Sequence, residues 1–176
     1  MKVFILRHGA TDYNKQGLLQ GLLDTPLNDD GKQQAIITGE LLGEENIDII
    51  YTSPLIRAKE TASLLHLDVP IYVDERLIER DLGVYEGKPI KQFNRLTYAS
   101  YHDIDRKDNV ETVTEVYDRI SSFFEELKQK GNQSGIVIVT HGGVIKVIRN
   151  YFNGIPNNGI CNEKSISNCD MLTFEL

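Results

Sequence analysis

Along the chain, segments with the apolar pattern of a strand alternate with segments in which apolar residues have the spacing of a helix. Two runs of mainly apolar residues, at 3–6 and 135–140, predict strands that are buried on both faces of a sheet. Shorter runs predict further strands at 47–51, 71–73 and 171–175. Strands buried on both faces are typical of parallel sheets that helices cover on either side.

Between these strands, apolar residues recur at helical spacing. Asn28, followed by two aspartates, predicts the N-cap of a helix with an apolar stripe at 35–42. Ser53 and Pro54 likewise predict the start of a helix that runs to Leu65. Further helices are predicted over 90–99, 112–130 and 144–152.

The alternation of strands and helices predicts the fold class. Right-handed crossovers between such elements give a three-layer α/β/α arrangement, with a mostly parallel central sheet and helices on both faces. The segments 10–27 and 77–91 are polar and interrupted by glycine, so they are predicted as loops. A length of 176 residues suits a single domain over 1–176.

Charge and composition narrow the classes of partner. The net charge of −7 argues against nucleic acid and against an anionic membrane surface, so we expect neither as a partner. Only four apolar residues separate Lys2 from Arg7, too few for a signal peptide, and we expect a cytoplasmic protein. Cys161 and Cys169 lack metal-type spacing, so free thiols are expected, with a disulfide between them as the alternative.

Two similar strands end in a histidine followed by glycine. Arg7-His8-Gly9 follows the first strand, and Thr140-His141-Gly142 ends the other apolar run. The carboxyl ends of parallel strands meet at one edge of a sheet, where ligands bind in open α/β folds. Arg57 and Glu79 follow two other predicted strands. The sequence therefore predicts a cluster of two histidines, two arginines and a carboxylate.

A metal centre is the competing interpretation of two histidines and a carboxylate. Arg7 and Arg57 would place two positive charges beside the cation, with little to offset them. The chain also has no pair of histidines at i, i+4 spacing. We therefore expect an anion site without metal.

Four short motifs carry a resemblance to a known family. They are Leu6-Arg7-His8-Gly9 with Asn14, Gln20-Gly21, Asp24, Pro26-Leu27 and Gly31; Ser53-Pro54 with Arg57-Ala58 and Thr61-Ala62; Leu77-Ile78-Glu79 with Gly83 and Glu86-Gly87; and Thr140-His141-Gly142-Gly143. In this order they resemble the histidine phosphatase superfamily, which includes the cofactor-dependent phosphoglycerate mutases. Ser167-Asn168-Cys169 is similar to the entry of that family's final strand.

The resemblance implies a mechanism for phosphomonoester hydrolysis and a role for each matching residue. His8 would be the nucleophile that forms a phosphohistidine. Glu79 would protonate the leaving oxygen and then activate water. Three groups would meet the phosphate charge, with His141 as an imidazolium: Arg7, Arg57 and His141. Further phosphate contacts are expected from Gly9, Asn14, Gln20, Gly21 and Gly142.

Departures from the family pattern favour a phosphatase over a mutase. Ala10 stands where mutases usually carry Glu, and the stretch between Gly87 and His141 is short. Its basic residues Arg95, Arg106 and Lys107 are matched by acidic ones, so it is not basic enough to hold a bisphosphate. The size is similar to that of α-ribazole phosphatases and broad-specificity phosphatases.

Several alternatives remain open from the sequence. A phosphoglycerate mutase and a non-catalytic phosphate-binding module are the alternative functions. The expected partner is a small-molecule phosphate ester, with no cofactor, and the chain is expected to be a monomer or a homodimer. Tyr98, Tyr101 and His102 either flank a leaving group or pack at the surface, and Glu111 either belongs to a family element or stabilises a helix start.

Overall fold

The computed structural model describes residues 1–131 and 133–176, and its strands form one sheet of five. The order across the sheet is β3-β2-β4-β1-β5. Strand β5 runs antiparallel to β1, whereas the other neighbours are parallel, which confirms the predicted mostly parallel sheet. The strands are β1 (Lys2–Arg7), β2 (Ile49–Thr52), β3 (Ile71–Val73), β4 (Gly135–Thr140) and β5 (Met171–Glu175).

Helices cover both faces of this sheet. They are α1 (Asp12–Gln16), α2 (Asp29–Leu42), α3 (Ile56–Leu64), α4 (Val113–Lys130) and α5 (Gly142–Asn153). Between β3 and α4 the chain forms short 3₁₀ turns instead of regular helices. Within the described residues, none of the helices has the length and apolar character needed to cross a membrane.

Alternate residues of the central strands supply two separate cores. Val3 and Ile5 of β1 pack with α4 and α5 on one face. Phe4 and Leu6 pack with α2 and α3 on the other face. Because side chains along a strand point alternately to opposite faces, one apolar run serves both cores. The predicted three-layer α/β/α fold is confirmed.

Two predicted helix starts hold and one is wrong. Asn28 Oδ1 accepts from Gly31 N at 2.9 Å and caps α2, as its position predicted. Thr112 caps α4 in a capping box with Glu115. Helix α3, however, begins at Ile56 and not at Pro54. Ser53 does not supply a regular N-cap, because its hydroxyl contacts a histidine of another strand end.

The helix predicted over 90–99 is wrong. The chain there forms two separate 3₁₀ turns, Ile90–Gln92 and Arg95–Tyr98. Isolated bridges pair Leu18 with Pro89 and Ser100 with Ile160, so extended backbone is fixed at both ends of the segment. The apolar residues that suggested a helix instead stack on each other, as Phe93 and Tyr98 do with ring centroids 4.9 Å apart.

Other elements differ from the prediction by small margins. Strand β2 begins at Ile49, two residues later than predicted, and α5 begins at Gly142, two residues earlier. Helix α1 lies inside the segment predicted as a loop. Its five residues include no buried side chain, so it produces no apolar periodicity in the sequence.

The register of the sheet brings three polar residues to one edge. Arg7 pairs with Thr140, and Thr52 pairs with Val139. The residues that follow these strand ends are His8, His141 and Ser53. The predicted meeting of the two histidines is therefore a consequence of the parallel register of β1, β4 and β2.

Candidate active site

His8 lies at the end of β1 with only 2% of its surface exposed. Its Nδ1 and the carbonyl oxygen of Gly9 are 2.7 Å apart. Since a carbonyl only accepts, Nδ1 carries the proton and Nε2 keeps its lone pair. Burial, together with the charges of Arg57 and Arg7, lowers the pKa of His8 well below its ordinary value. The ring is thus neutral and nucleophilic at neutral pH.

His141 lies beside His8, with the two ring centroids 5.1 Å apart. Its side chain is fully buried, and its Nε2 lies 2.7 Å from Ser53 Oγ. Burial and the charge of Arg57 lower the pKa of His141 well below its ordinary value. The ring is therefore neutral as the protein alone surrounds it, and the imidazolium expected against a bound phosphate stays a prediction. His141 Nδ1 is buried and has no hydrogen-bond partner among residues 1–131 and 133–176.

Arg57 projects from the first turn of α3 and is fully buried. Its Nη1 donates to Leu23 O at 2.7 Å and its Nη2 donates to Gly21 O at 2.8 Å. Burial lowers the pKa of Arg57 to about 10, so the guanidinium stays charged at neutral pH. The two carbonyls fix the plane of the guanidinium, and its Nε is buried without a partner.

Arg7 is the last residue of β1 and is held in a similar way. Its Nη1 donates to Ile166 O at 2.6 Å, whereas its Nε is buried without a partner. Burial lowers the pKa of Arg7, and the charge of Glu79 opposes that effect. A carbonyl from the segment before β5 therefore orients the second guanidinium of the site.

Within the part of the chain that the structure describes, three buried nitrogens on residues near His8 have no hydrogen-bond partner. They are Arg7 Nε, Arg57 Nε and His141 Nδ1. Buried polar atoms without partners are rare, because each costs free energy that a hydrogen bond would recover. Two belong to cations that are already anchored by carbonyls. The arrangement is suited to an anion that presents several acceptor oxygens, as a phosphoryl group does.

Glu79 lies on the same pocket, beside the start of α5. Its carboxylate accepts from Arg80 N at 2.9 Å and from Gly143 N at 3.1 Å. A side chain at position 143 would clash, since an added Cβ would lie 2.6 Å from Glu79 Oε1. Among the described residues that line the pocket, Glu79 is the one carboxylate. Glu86 instead accepts from Leu22 N at 2.8 Å outside the lining.

Four of the five predicted phosphate contacts line the pocket: Asn14, Gln20, Gly21 and Gly142. The Oδ1 of Asn14 accepts from Thr11 N at 3.1 Å, and the Oε1 of Gln20 accepts from Thr11 Oγ1 at 3.0 Å. Both amide oxygens are thus engaged, which leaves the amide NH₂ groups as the donors that can serve a ligand.

Gly9 occupies a different position from the predicted one. It does not line the pocket, its N–H donates to Thr61 Oγ1 at 2.9 Å, and its carbonyl accepts from His8. The backbone of Gly9 therefore orients the His8 ring from behind. An added Cβ would lie 2.5 Å from Gly31 O, so the close approach of two loops requires glycine here.

Two residues of the site were predicted neither as catalytic nor as phosphate-binding, although both belong to motifs of the family resemblance. Ser53, predicted as a helix cap, contacts His141, and Asn168 donates through Nδ2 to His8 O at 2.9 Å and to Gly9 O at 3.2 Å. Asn168 belongs to a motif that the family resemblance included, and that was the available signal. No local pattern at Ser53 indicates a partner 88 residues away.

The residues for which the sequence left two roles open do not line the pocket. Tyr98, Tyr101 and His102 do not line the pocket. Tyr101 Oη donates to Asn150 Oδ1 at 3.0 Å, so it packs against α5 instead of flanking a ligand. Glu111 forms an ion pair of 3.0 Å with Arg119 and accepts from the backbone of the loop after Glu79.

The pocket is small and has two zones. Its volume is about 160 Å³, below the range of about 300–1,000 Å³ that is typical of ligand pockets. The inner zone is lined by His8, Arg7 and Arg57, and His141 is buried beside His8 without lining the pocket itself. The outer zone is lined mainly by apolar side chains, together with two cations: Leu18, Leu19, Ile90, Phe93, Arg95 and Lys146. Over 1–131 and 133–176, no three His, Cys, Asp or Glu side chains are grouped as a metal site requires.

Comparison with known protein families gives a match over nearly the whole chain. The family model described as "Histidine phosphatase superfamily (branch 1)" matches residues 3–176. The chain belongs to the histidine phosphatase superfamily. The resemblance of the four motifs is therefore confirmed at the level of the family.

Individual members of the superfamily show the same relationship. The chain is 37% identical to the uncharacterized phosphatase PhoE of Bacillus subtilis, covering 86% of this chain and 77% of that protein. It is 31% identical to phosphoserine phosphatase 1 of Hydrogenobacter thermophilus, covering 80% and 71%. A mycobacterial glucosyl-3-phosphoglycerate phosphatase, solved with VO₃, has a TM-score of 0.88 at 28% identity, covering 98% of this chain and 90% of that one.

Proposed function

We propose that the chain is a phosphatase that hydrolyses small phosphomonoesters through a phosphohistidine on His8. The unpartnered buried nitrogens of Arg7, Arg57 and His141, three residues near His8, carry this proposal. They supply fixed donors for the phosphoryl oxygens, where charge must be stabilised during transfer. Phosphatases among the relatives, including one named for phosphoserine, support the same reaction class.

In the first step, His8 Nε2 attacks phosphorus and the bond from phosphorus to the ester oxygen breaks. Glu79, as the carboxylic acid, gives its proton to the departing oxygen, so an alcohol leaves. Glu79 supports this role as the one carboxylate among the described residues that line the pocket. Arg7, Arg57 and His141 hold the transferred group while it moves to nitrogen.

In the second step, water attacks phosphorus from the side that the alcohol has left. The Glu79 carboxylate takes a proton from this water, the bond from phosphorus to His8 Nε2 breaks, and inorganic phosphate is released. The site then returns to a neutral His8 and a protonated Glu79. Both steps use one carboxyl group, which acts first as acid and then as base.

The outer zone favours hydrolysis over mutase activity. Arg106 is engaged in an ion pair of 3.0 Å with Glu115, and Lys107 in one of 3.2 Å with Asp103. Neither residue lines the pocket, so of the three basic residues of this stretch Arg95 alone is placed to meet a second phosphate. Water can reach a phosphohistidine that no second phosphate covers.

The proposal also covers the domain organisation, the oligomeric state and the location of the enzyme. A single domain over 1–176, acting as a monomer or homodimer in the cytoplasm on a small phosphate ester, fits the free thiols of Cys161 and Cys169. Size-exclusion chromatography with light scattering measures the oligomeric state directly.

A nitrophenyl phosphate assay in the presence of a chelator tests the proposal. We expect turnover with EDTA present, inhibition by vanadate, and an acid-labile phosphate on the denatured protein after rapid quenching. His8→Asn abolishes both turnover and labelling. His66→Asn is the matched control. Because His66 is exposed on the surface, this variant should retain both turnover and labelling.

Two results would contradict the proposal. Saturable phosphate binding without turnover in the intact protein would identify a binding module. Interconversion of 2- and 3-phosphoglycerate that exceeds hydrolysis, with bisphosphoglycerate added, would identify a mutase.

A further inference from the structure

One buried ion pair near the pocket has no part in the mechanism proposed above. Glu111, the residue before the N-cap of α4, is 8% exposed and pairs with Arg119 of that helix. Its two carboxylate oxygens accept from Arg119 Nε at 3.0 Å and from Arg119 Nη2 at 3.2 Å. Burying two charges costs solvation free energy that their attraction hardly exceeds, so the pair adds little to stability. Its bidentate geometry instead fixes the position of both side chains.

Glu111 holds the backbone that follows Glu79. Its Oε2 accepts from Asp81 N at 3.2 Å, and its own N–H donates to Asp81 O at 3.0 Å. Its carbonyl oxygen accepts from Arg80 Nε at 2.6 Å. Three hydrogen bonds from one residue thus fix the two residues that come directly after the proposed acid.

Arg119 holds the backbone that precedes Glu79. Its Nη1 donates to Arg76 O, three residues before Glu79 along the chain. Its other nitrogens make the bidentate contact with Glu111, so one guanidinium joins the two stretches. A lysine cannot do the same, because an ammonium lacks the planar fork that reaches both partners. The backbone on both sides of Glu79 is therefore held by one ion pair.

The side chain of Glu79 depends on that backbone for its position. Its carboxylate accepts from Gly143 N at 3.1 Å, in the first turn of α5, where helices leave their N–H groups free. A general acid has to lie about 2.6–3.2 Å from the oxygen that it protonates. A displacement of about 1 Å can lower the rate by about 10²-fold. Small movements of residues 79–81 would therefore impair the reaction.

We propose that Glu111 and Arg119 are positioning residues, which hold the loop of Glu79 so that its carboxyl group reaches the leaving oxygen. The inference rests on the proposed phosphatase function and adds two residues that do not line the pocket. They act on the reaction only through Glu79. The sequence left two roles open for Glu111, and its contacts with residues 80 and 81 connect it to the site instead.

Leaving groups that differ in basicity test the inference. Glycerol 3-phosphate releases an alkoxide that must be protonated, whereas nitrophenyl phosphate releases a phenolate that leaves without a proton. In Glu111→Ala and Arg119→Lys, kcat/KM for glycerol 3-phosphate should fall by about 10²-fold, as for a displaced acid. The kcat/KM for nitrophenyl phosphate and the inhibition constant of vanadate should stay near the wild-type values. General damage to the pocket would change all three together.

Arg119→Lys keeps the positive charge beside Glu111, so it provides a test even if Glu111→Ala does not fold. In protein that already carries Glu79→Gln, the acid is gone and its position no longer matters. Adding Arg119→Lys there should leave kcat/KM for glycerol 3-phosphate unchanged. Glu125→Gln is the control, because Glu125 is an exposed glutamate of α4 that accepts from Lys128 and Tyr151. It should keep all values of the wild type.

Hydrogen exchange measures the position of Glu79 without turnover. Because Gly143 N–H donates to the Glu79 carboxylate, its exchange, followed by NMR, should be about tenfold faster in Arg119→Lys than in the wild type. The amides of β4 belong to the centre of the sheet and should exchange at the wild-type rate.

The outcomes separate the inference from the proposed function. Wild-type kcat/KM for glycerol 3-phosphate in both variants would overturn the inference, and so would an equal loss with nitrophenyl phosphate. Losses from Arg119→Lys and Glu79→Gln that add together would overturn it as well. Absence of all turnover in the intact protein would contradict the phosphatase proposal. Unchanged exchange of Gly143 N–H in Arg119→Lys would then overturn the positioning role separately.

Discussion

Two local contacts decide which nitrogen of each pocket histidine is available. Gly9 O accepts from His8 Nδ1, so His8 Nε2 remains free to attack. Ser53 Oγ, which accepts from Leu55 N at 3.3 Å, lies against His141 Nε2. When the Ser53 hydroxyl donates to Nε2, the proton of His141 is on Nδ1. His141 can then donate to a phosphoryl oxygen as a neutral ring, with no need for an imidazolium.

The first prediction concerns Glu79. Without its carboxyl group, Glu79→Gln can neither protonate an alkoxide nor activate water, so turnover of alkyl phosphates should fall by about 10²- to 10⁴-fold. Nitrophenolate leaves without protonation, so the first step should persist with nitrophenyl phosphate. The phosphohistidine should therefore accumulate, and rapid quenching followed by detection of acid-labile phosphate measures it.

The control for this prediction is Glu75→Gln. Glu75 is exposed four residues before Glu79 and does not line the pocket, so its substitution should leave turnover unchanged. Full activity of Glu79→Gln toward an alkyl phosphate would assign the acid to another group.

At the scale of single residues, the sequence predicted the site residues whose type is uncommon at a strand end. It missed the site residues whose type is common at such a position. A histidine followed by glycine at the end of a strand is an uncommon combination, and the chain has it twice, at His8 and at His141. Ser53 was assigned to a helix start, because serine before proline is typical of one. Its contact with His141 depends on the pairing of β2 with β4, which no local pattern contains.

At the scale of elements, prediction succeeded where an element supplies its own stabilisation. Helix α4 has a capping box at Thr112, a buried stripe and a left-handed glycine at Gly131, and its predicted range of 112–130 agrees with Val113–Lys130. The segment 90–99 lacks such caps, and contacts with distant residues determine its conformation. Tertiary contacts override the helical pattern in that segment.

The second prediction concerns the packing of α2 against α3. An added Cβ at Gly39 would lie 2.1 Å from Leu65 O, so the two backbones are in direct contact there. Gly39→Ala must push the helices apart, and we expect the free energy of unfolding to fall by about 1–3 kcal/mol. Urea denaturation measures this change.

Gly43 provides a matched control on the same helix. It ends α2 with a φ of −62°, and the nearest atom to an added Cβ would be Glu40 O at 3.4 Å. Gly43→Ala should therefore change the free energy of unfolding by no more than about 1 kcal/mol, in the stabilising direction. Equal destabilisation by both substitutions would show that contact with Leu65 is not the cause.

At the scale of the whole molecule, a negative net charge coexists with a positive pocket. The chain carries −7 overall, but Arg7, Arg57, Arg95 and Lys146 are concentrated at one edge of the sheet. Burial strengthens the field of these charges, because the protein interior screens less than water does. The acidic surface accordingly disfavours polyanions, whereas a small phosphate ester can enter the positive pocket.

The third prediction follows from burying two neutral histidines in that pocket. The pKa values of His8 and His141 lie well below 6.5 in the folded protein, so the unfolded chain binds more protons than the folded one below that pH. Stability is therefore complete above pH 6.5 and is lost as the pH falls. At pH 5.5 each histidine should cost about 1.4 kcal/mol, measured by urea denaturation against pH 7.5.

Between pH 7.5 and 5.5, the loss of stability caused by the histidines is separate from the loss caused by the carboxylates. Ion pairs and hydrogen bonds lower the pKa values of Asp74 and Glu115, so the stability that they contribute is lost only at more acidic pH. His141→Asn should remove about half of the loss between pH 7.5 and 5.5, whereas the surface variant His66→Asn should retain all of it. If the intact protein were equally stable at both pH values, His8 and His141 would have to be charged in the folded state. The neutral nucleophile of the proposed mechanism would then be excluded at pH 5.5.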